Sequence, residues 1–323
     1  MNIGLSLDNF VINQILCLSK NTDIAQNNMK QIEKSISLSA HNDNYRVNYF
    51  YSSSLSLNDD MNLLNQIIIT HRGVICFSGN QQFGLYYKNE QLIQFYLDIY
   101  HQYEQNTHPL ITVINSLKKE FDVIGKNFMN SNVKNGWYLD KELCLVSLIN
   151  EKLLSKYLQI NKESNPEFYH EISNYITVYQ QYIKTKKLGI YTTLSGVRRF
   201  LETGKVTEFP NYILKKIQMK DRIILVQHLL DLIHNDNIFI LKDKYEQIDY
   251  HFHIFIFHTF GYILISDNEN RMKYINLNEL SIIEQLYDFM NLLQVENIYE
   301  NNIYTKEEAV TRIQEMLDKF ISI

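Results

Sequence analysis

Apolar residues recur along this chain in two periods, and the switching between them marks out its elements. In "EQLIQFYLDIYHQYEQ", Leu92, Phe95, Ile99 and Tyr103 stand three and four residues apart, which is the spacing of one helix face. Asn165 and Pro166 open a long helix of the same kind, with Phe168, Ile172, Ile176, Tyr179 and Ile183 on one side. Another covers about 219–234 and carries Ile224, Leu225, Leu229 and Leu232, and a further one covers about 278–293. The last helix begins at a capping box, Thr305-x-x-Glu308, and its stripe is Val310, Ile313, Met316, Leu317, Phe320 and Ile321. Residues 7–38 read as two amphipathic helices parted near 21–23, with Phe10, Ile12, Ile15 and Leu16 as the buried set, and residues 110–126 read as one more helix.

Alternation in steps of two marks the strands. "YRVNYFYSSSLSL" is the first, and "NQIIITHRGVICFSGNQQFGLYYKN" holds two or three more, turning at Arg72-Gly73 and at Gly79-Asn80. "GWYLDKELCLVSLINEKLLSKYLQ" reads as one or two strands followed by a helix, and "LGIYTT" as a short extended link. Strands follow at "NIFILKD", "DYHFHIFIFH", "GYILISD" and "RMKYINL".

Two of these stretches match each other. "GVICFSGNQQFGLYYKNEQLIQFYLDIY" and "GYILISDNENRMKYINLNELSIIEQLYD" align without gaps at an offset of 188 residues, Gly73 on Gly261, Ser78 on Ser266, Tyr86 on Tyr274 and Leu92 on Leu280. The fold expected is therefore α+β, a mixed α/β chain with two ββα-type lobes joined by a mostly helical middle region. The segments expected are an N-terminal helical piece (1–44), a first α/β lobe (45–160), the helical middle (161–235), a second ββα lobe (236–298) and a C-terminal helix (299–323).

Composition narrows the function classes. With 323 residues, 45% hydrophobic and 13% aromatic, the chain has ample material for packed cores, which argues against disorder. The net charge of -5 gives no support to a large nucleic-acid interface. The basic runs Lys184, Lys186, Lys187 and Lys215, Lys216, Lys220, Arg222 read as solvated helix faces. Cys17, Cys76 and Cys144 are widely spaced, with no C-x-x-C pair, so neither a zinc site nor a disulfide framework is signalled, and a reducing cytoplasm is expected. The first 21 residues lack the charge and apolar run of a signal peptide, and no run has the length of a membrane span.

Candidate chemistry is sparse. "HFHIFIFH" places His251 and His253 on one strand face, a known way to present two metal ligands. No third ligand lies near in sequence, so a polar rim on an aromatic strand is expected, with no metal and no cofactor. His71 and Arg72 beside a turn glycine could contact an anion at a strand end or simply form a β-turn. No nucleotide loop, nucleophile elbow or H-E-x-x-H motif occurs. In "LSGVRRFLETGKVTEFP", Thr193 or Ser195 caps a short helix that buries Val197, Phe200 and Leu201 and ends at Gly204 in the left-handed C′ position. Arg198 and Arg199 then lie on its outer side, where either can pair with Glu202, grip an anion or tie the lobes together.

"YTTLSGVRRFLETGKVTEFP", with "NYFYSSSLSL" and "LIQFYLDIYHQYEQNTHPLI", resembles the C-terminal regulatory region of helix-turn-helix transcriptional regulators of Gram-positive bacteria. An "-GLRRF-ETG-" segment in the middle of that region matches Gly196 to Gly204 here. The resemblance implies a non-enzymatic cytoplasmic sensor that binds a small molecule, a peptide or a protein partner. The apolar stripe of the last helix needs a partner surface, which could be a second copy or its own domain. Residues 1–44 lack a basic recognition helix, which argues against DNA binding. The competing classes are an enzyme of unrecognised type, using His71, Arg72 or the strand histidines, and a DNA-binding regulator using the N-terminal helices.

Overall fold

The computed structural model describes residues 11–19, 25–42, 44–52, 66–78, 82–114, 135–160, 163, 165–185, 188–209, 213–235, 237–247, 252–266, 272–294 and 302–322. Eight α-helices and thirteen strands lie among them, in mixed sheets, so the fold is α+β as expected. The chain separates into two compact units, Met1–Ile111 and Thr112–Ile323.

The first unit opens with β1 (Ile12–Ser19), α1 (Ala25–His41) and β2 (Tyr45–Ser52). β1 and β2 pair in parallel from Ile12↔Tyr45 to Ser19↔Ser52. This corrects the expectation of two helices over 7–38. Ile12, Ile15 and Leu16 fit a helical step, but Leu16 and Leu18 also alternate, and both are buried, as are Tyr45 and Val47 on the paired strand β2. An apolar run this short satisfies either period, and pairing with a distant strand decides between them. α1 packs on both strands through Asn28, Ile32, Ser35 and Ser39, mostly small or polar residues on one face. Among the described residues of 1–44 there is thus a strand and a helix of a βαβ unit and no helix-turn-helix. β6 (His108–Pro109) runs antiparallel beside β2.

The rest of the unit is a meander, β3 (Gln66–Thr70), β4 (Gly73–Phe77) and β5 (Gly84–Tyr87), followed by α2 (Glu90–Glu104), which is capped by Asn89. α2 covers the Val74 and Cys76 face, where both residues are fully buried. The turn expected at Gly79-Asn80 lies outside the described residues.

The second unit is built on a seven-stranded sheet. β7 (Ile111–Ile114) is a strand, in place of the helix expected over 110–126, whose later part lies outside the described residues. β8 (Gly136–Asp140) leads through a 3-10 turn (Leu145–Ser147), α3 (Glu151–Tyr157) and α4 (Pro166–Lys184) to β9 (Leu188–Thr193). α5 (Leu194–Thr203) and α6 (Met219–His234) then lead to β10 (Ile238–Leu241). β11 (Phe252–Phe257), β12 (Gly261–Ser266), β13 (Met272–Leu277), α7 (Leu280–Leu292) and α8 (Lys306–Ile321) complete it. The order across the sheet is β10-β9-β8-β11-β12-β13-β7. β8, β9 and β10 are parallel, and β11 runs antiparallel to β8.

β8 therefore sits near the middle of the second unit's sheet and not in a first lobe. The two units do not follow the five segments read from sequence, because strand pairing joins β8 to β9 and β11. The ββα order does recur, as β4-β5-α2 and β12-β13-α7. The register does not. Val74 pairs with Tyr87, whereas its counterpart Tyr262 pairs with Asn276, one residue past the counterpart of Tyr87. A one-residue slip changes which residues of the second strand share a face with Val74 and with Tyr262.

Alternation along β8 splits the core in two. Trp137 and Leu139 lie on the face covered by α7, where the Trp137 indole donates to Asn291 Oδ1 at 2.9 Å and the Tyr191 hydroxyl donates to the Met290 carbonyl at 2.7 Å. Tyr138 lies on the opposite face with Tyr179, Phe255 and Phe257, and Phe255 stacks on Tyr262 at 4.9 Å. Burying each such ring contributes on the order of 2 kcal/mol. The apolar stripe of α8 is covered by its own unit. Ala309, Ile313 and Leu317 are buried where α8 packs on α5 and α6, which removes the reason for expecting self-association through it.

Candidate functional site

The carboxyl ends of β8 and β9, the end of β10 and the start of β11 meet along one edge of the sheet, through the registers Leu139↔Tyr191, Thr193↔Leu241 and Asp140↔His253. Ligands of α/β sheets favour such an edge. Buried polar groups gather here. Asp140, Lys141, Glu142, Thr192, Thr193 and His253 are all buried.

His253 is the hub. Its Nδ1 lies 2.9 Å from Asp140 Oδ2 and 3.2 Å from the Tyr138 hydroxyl, and its Nε2 lies 3.1 Å from Thr207 Oγ1. Thr207 donates its hydroxyl proton to Glu142 Oε2 at 2.8 Å, and its backbone N–H donates to the same oxygen. Glu142 Oε1 receives Arg199 Nη1 at 2.9 Å. The Glu142 amide donates to Asp140 Oδ1 at 2.7 Å. The result is a continuous chain, Arg199–Glu142–Thr207–His253–Asp140.

Carboxylate, imidazole and hydroxyl stand in the order of a nucleophile triad, but the protons run the other way. A triad imidazole must accept the hydroxyl proton. Thr207 spends that proton on Glu142, so Nε2 donates to Thr207. Nδ1 faces the Asp140 carboxylate, which favours a proton on that nitrogen. Burial alone would lower the His253 pKa, and the adjacent Asp140 carboxylate more than offsets this and raises it.

Glu208 stands beside this chain. Its Oε2 accepts the Leu145 amide at 3.0 Å and its Oε1 lies 3.9 Å from Cys144 Sγ. Burial, and next to it the Asp140 charge, pushes the Glu208 carboxyl up to about 8. Burial and the nearby Asp140 charge also raise the Glu142 carboxyl above its ordinary value. Burial also pushes the Cys144 thiol well up, which keeps it protonated and unreactive.

α5 frames the outer side of the edge. Thr193 caps it by accepting the Gly196 amide at 3.1 Å, and its hydroxyl donates to the Lys141 carbonyl at 2.8 Å. A Cβ at Gly196 would lie 1.9 Å from that carbonyl, so only glycine lets α5 approach the strand end this closely. Val197, Phe200 and Leu201 are buried and Gly204 ends the helix at φ 67°, as read from sequence. The helix end is held by Arg222, whose guanidinium donates to the carbonyls of Ile217, Leu201 and Glu202. Arg222 is buried, which corrects its assignment to a solvated face, whereas Lys215, Lys216 and Lys220 are exposed. Lys184 is exposed too, and Lys186 and Lys187 lie outside the described residues.

Next to α5 an open cavity of about 450 Å³ lies between its first turns, the 3-10 turn Asp243–Tyr245 and α8. Arg198 lines it, with Ser195, Glu246 and residues of α8. Glu246 is held within the site, since its carboxylate accepts from Ser195 Oγ and its backbone carbonyl from Lys141 Nζ.

The residues singled out from sequence fall in different places. Arg199 and His253 belong to one buried network, and Arg198 lines the adjoining cavity. The residue named from sequence as a partner for Arg199 was Glu202, and the ion pair formed is with Glu142. His71 and Arg72 form the turn between β3 and β4 in the other unit, exposed, with Arg72 Nε 3.1 Å from His71 Nε2. His251 lies outside the described residues. Asp140, Glu142, Thr207 and Glu208 were missed. The signal was there for two of them, since Asp140-Lys141-Glu142 is an island of charge inside "GWYLDKELCLVSLI".

Among the described residues, no group of three His, Cys, Asp or Glu side chains is placed to hold a metal ion, and no helix is long and apolar enough to cross a membrane. No family model, curated protein or solved structure matches the chain.

Proposed function

We propose that this chain is a non-enzymatic cytoplasmic regulatory protein, of the kind its resemblance to the effector regions of bacterial helix-turn-helix regulators implies. In this reading it binds a small molecule or peptide in the cavity beside α5, and the occupied state acts on a protein partner. The observation that carries the reading is the complete burial of Asp140 and His253. An enzyme built on these groups needs an imidazole or carboxylate free to exchange a proton with substrate. Here Asp140 and His253 have no exposure, and Thr207 is turned toward Glu142.

α5 supplies the means of response. Arg198 faces the cavity and Arg199, the next residue, pairs with the buried Glu142. A ligand that draws on Arg198 changes the position of α5 and with it the Arg199–Glu142 contact, which biases two arrangements of one packed element. Incubation of the purified chain with the small-molecule extract of its own host tests the reading. A sensor retains a compound of unchanged mass. Depletion of one compound with formation of another, dependent on His253, would replace the proposal with an enzyme.

A further inference from the structure

The lining of this cavity selects for charge. Arg198 from α5 and Arg312 and Lys319 from α8 all border it, and none of the three has a carboxylate in ion-pair range among the described residues. Two of the neighbouring acids are already engaged. Glu246 accepts from Ser195, and Asp243 accepts the Tyr304 hydroxyl at 2.8 Å. Glu246 also has Lys141 Nζ at 4.0 Å as a counter-ion, so Asp243 and the exposed Glu315 are the two carboxylates that stand against the three cations.

The guanidinium of Arg312 lies over the Tyr304 ring at 4.6 Å from its centre, which limits its freedom. Leu194 and Met316 add a small apolar surface. A volume of about 450 Å³ suits a metabolite of sugar size.

We propose that the cavity between α5 and α8 binds a small organic oxyanion, a phosphate monoester or a carboxylate, through Arg198, Arg312 and Lys319, with its apolar part on Leu194 and Met316. Guanidinium groups match either oxyanion with paired N–H donors. This rests on the reading of the cavity as the sensor's ligand site and names the chemistry that site takes.

The test is titration calorimetry on the full chain at fixed ionic strength. Glycerol 3-phosphate and citrate are the two oxyanion probes, and glycerol and choline are the neutral and cationic controls. At least one oxyanion should bind, and the Arg198→Ala/Arg312→Ala variant should bind it at least about tenfold more weakly. Glu315→Gln should leave binding unchanged or tighten it. Which probe binds tells phosphate ester from carboxylate. Both variants alter exposed residues, and Trp137 fluorescence checks that the unit stays folded. Failure of both oxyanions to bind, or affinity untouched by the double variant, would overturn the proposal. A neutral or cationic compound retained from host extract, and lost in a cavity-filling Glu315→Trp variant, would overturn the oxyanion class and leave the sensor reading standing.

Discussion

Asp140 and His253 face each other directly across β8 and β11, 2.9 Å apart and with no exposure to solvent. A buried pair of this kind is costly to break, because the partner left behind keeps its charge without a counter-ion. Asp140→Asn and His253→Gln should each destabilise the second unit by about 3–5 kcal/mol. The double variant should cost less than the sum, as expected for residues in contact. Urea unfolding followed by the single tryptophan, Trp137, reads this unit alone. A loss below about 1 kcal/mol in both single variants would mean that the pair is not the hub described.

Stability should fall as pH rises. Glu208 has a folded value of about 8 against an ordinary 4.5, so the folded state holds a proton that the unfolded state has released between those two values. The cost grows across that window and is complete above it. His253, raised above its ordinary 6.5, contributes stability that is fully present below 6.5 and is lost as pH passes its folded value. The two slopes have the same sign. The melting temperature of the Trp137-reporting unit should decline from about pH 5 to about pH 9, and Glu208→Gln should flatten the decline. A melting temperature that rises over this range, or a Glu208→Gln profile parallel to the wild type, would contradict the placement of the proton on Glu208.

The end of α5 depends on two residues in contact. Gly204 holds φ 67°, where a Cβ would lie 2.3 Å from the Ile217 carbonyl, and Arg222 satisfies the last carbonyls of the helix. Gly204→Ala should destabilise by more than about 1 kcal/mol through backbone strain alone. Arg222→Met should cost about 2–4 kcal/mol, since it strips charged donors from buried carbonyls. Lysine, with a single ammonium, should not restore the contacts to Ile217 and Leu201. Denaturation midpoints of the three variants check this, and a wild-type midpoint for Arg222→Lys would show that the fork geometry is unimportant.

Local signals carried the helices well. Asn165-Pro166, Thr305-x-x-Glu308 and Thr193 with Gly204 each bound a helix where the sequence placed it, because caps are made by neighbours in the chain. The failures were at long range. Residues 12–19 form a strand because residues 45–52 lie beside them, and residues 111–114 form a strand at a sheet edge. Neither partner is visible in a local window. The site was half legible for the same reason. Arg198, Arg199 and His253 stood out by type, but nothing in the sequence sets Glu142 beside Arg199 or Asp140 opposite His253. Arg222 reads as one basic residue in a basic run, and its burial follows only from the carbonyls that α5 leaves at its end.

The central claim is that this chain holds a ligand beside α5 and does not turn it over. Native mass spectrometry of the protein purified from its own host tests it most directly, with Glu315→Trp prepared in the same way. The account predicts a bound mass at one per chain in the wild type, released intact on denaturation, and absent from the variant whose cavity is filled. An unliganded mass for the wild type, or a bound mass that persists undiminished in Glu315→Trp, would contradict it.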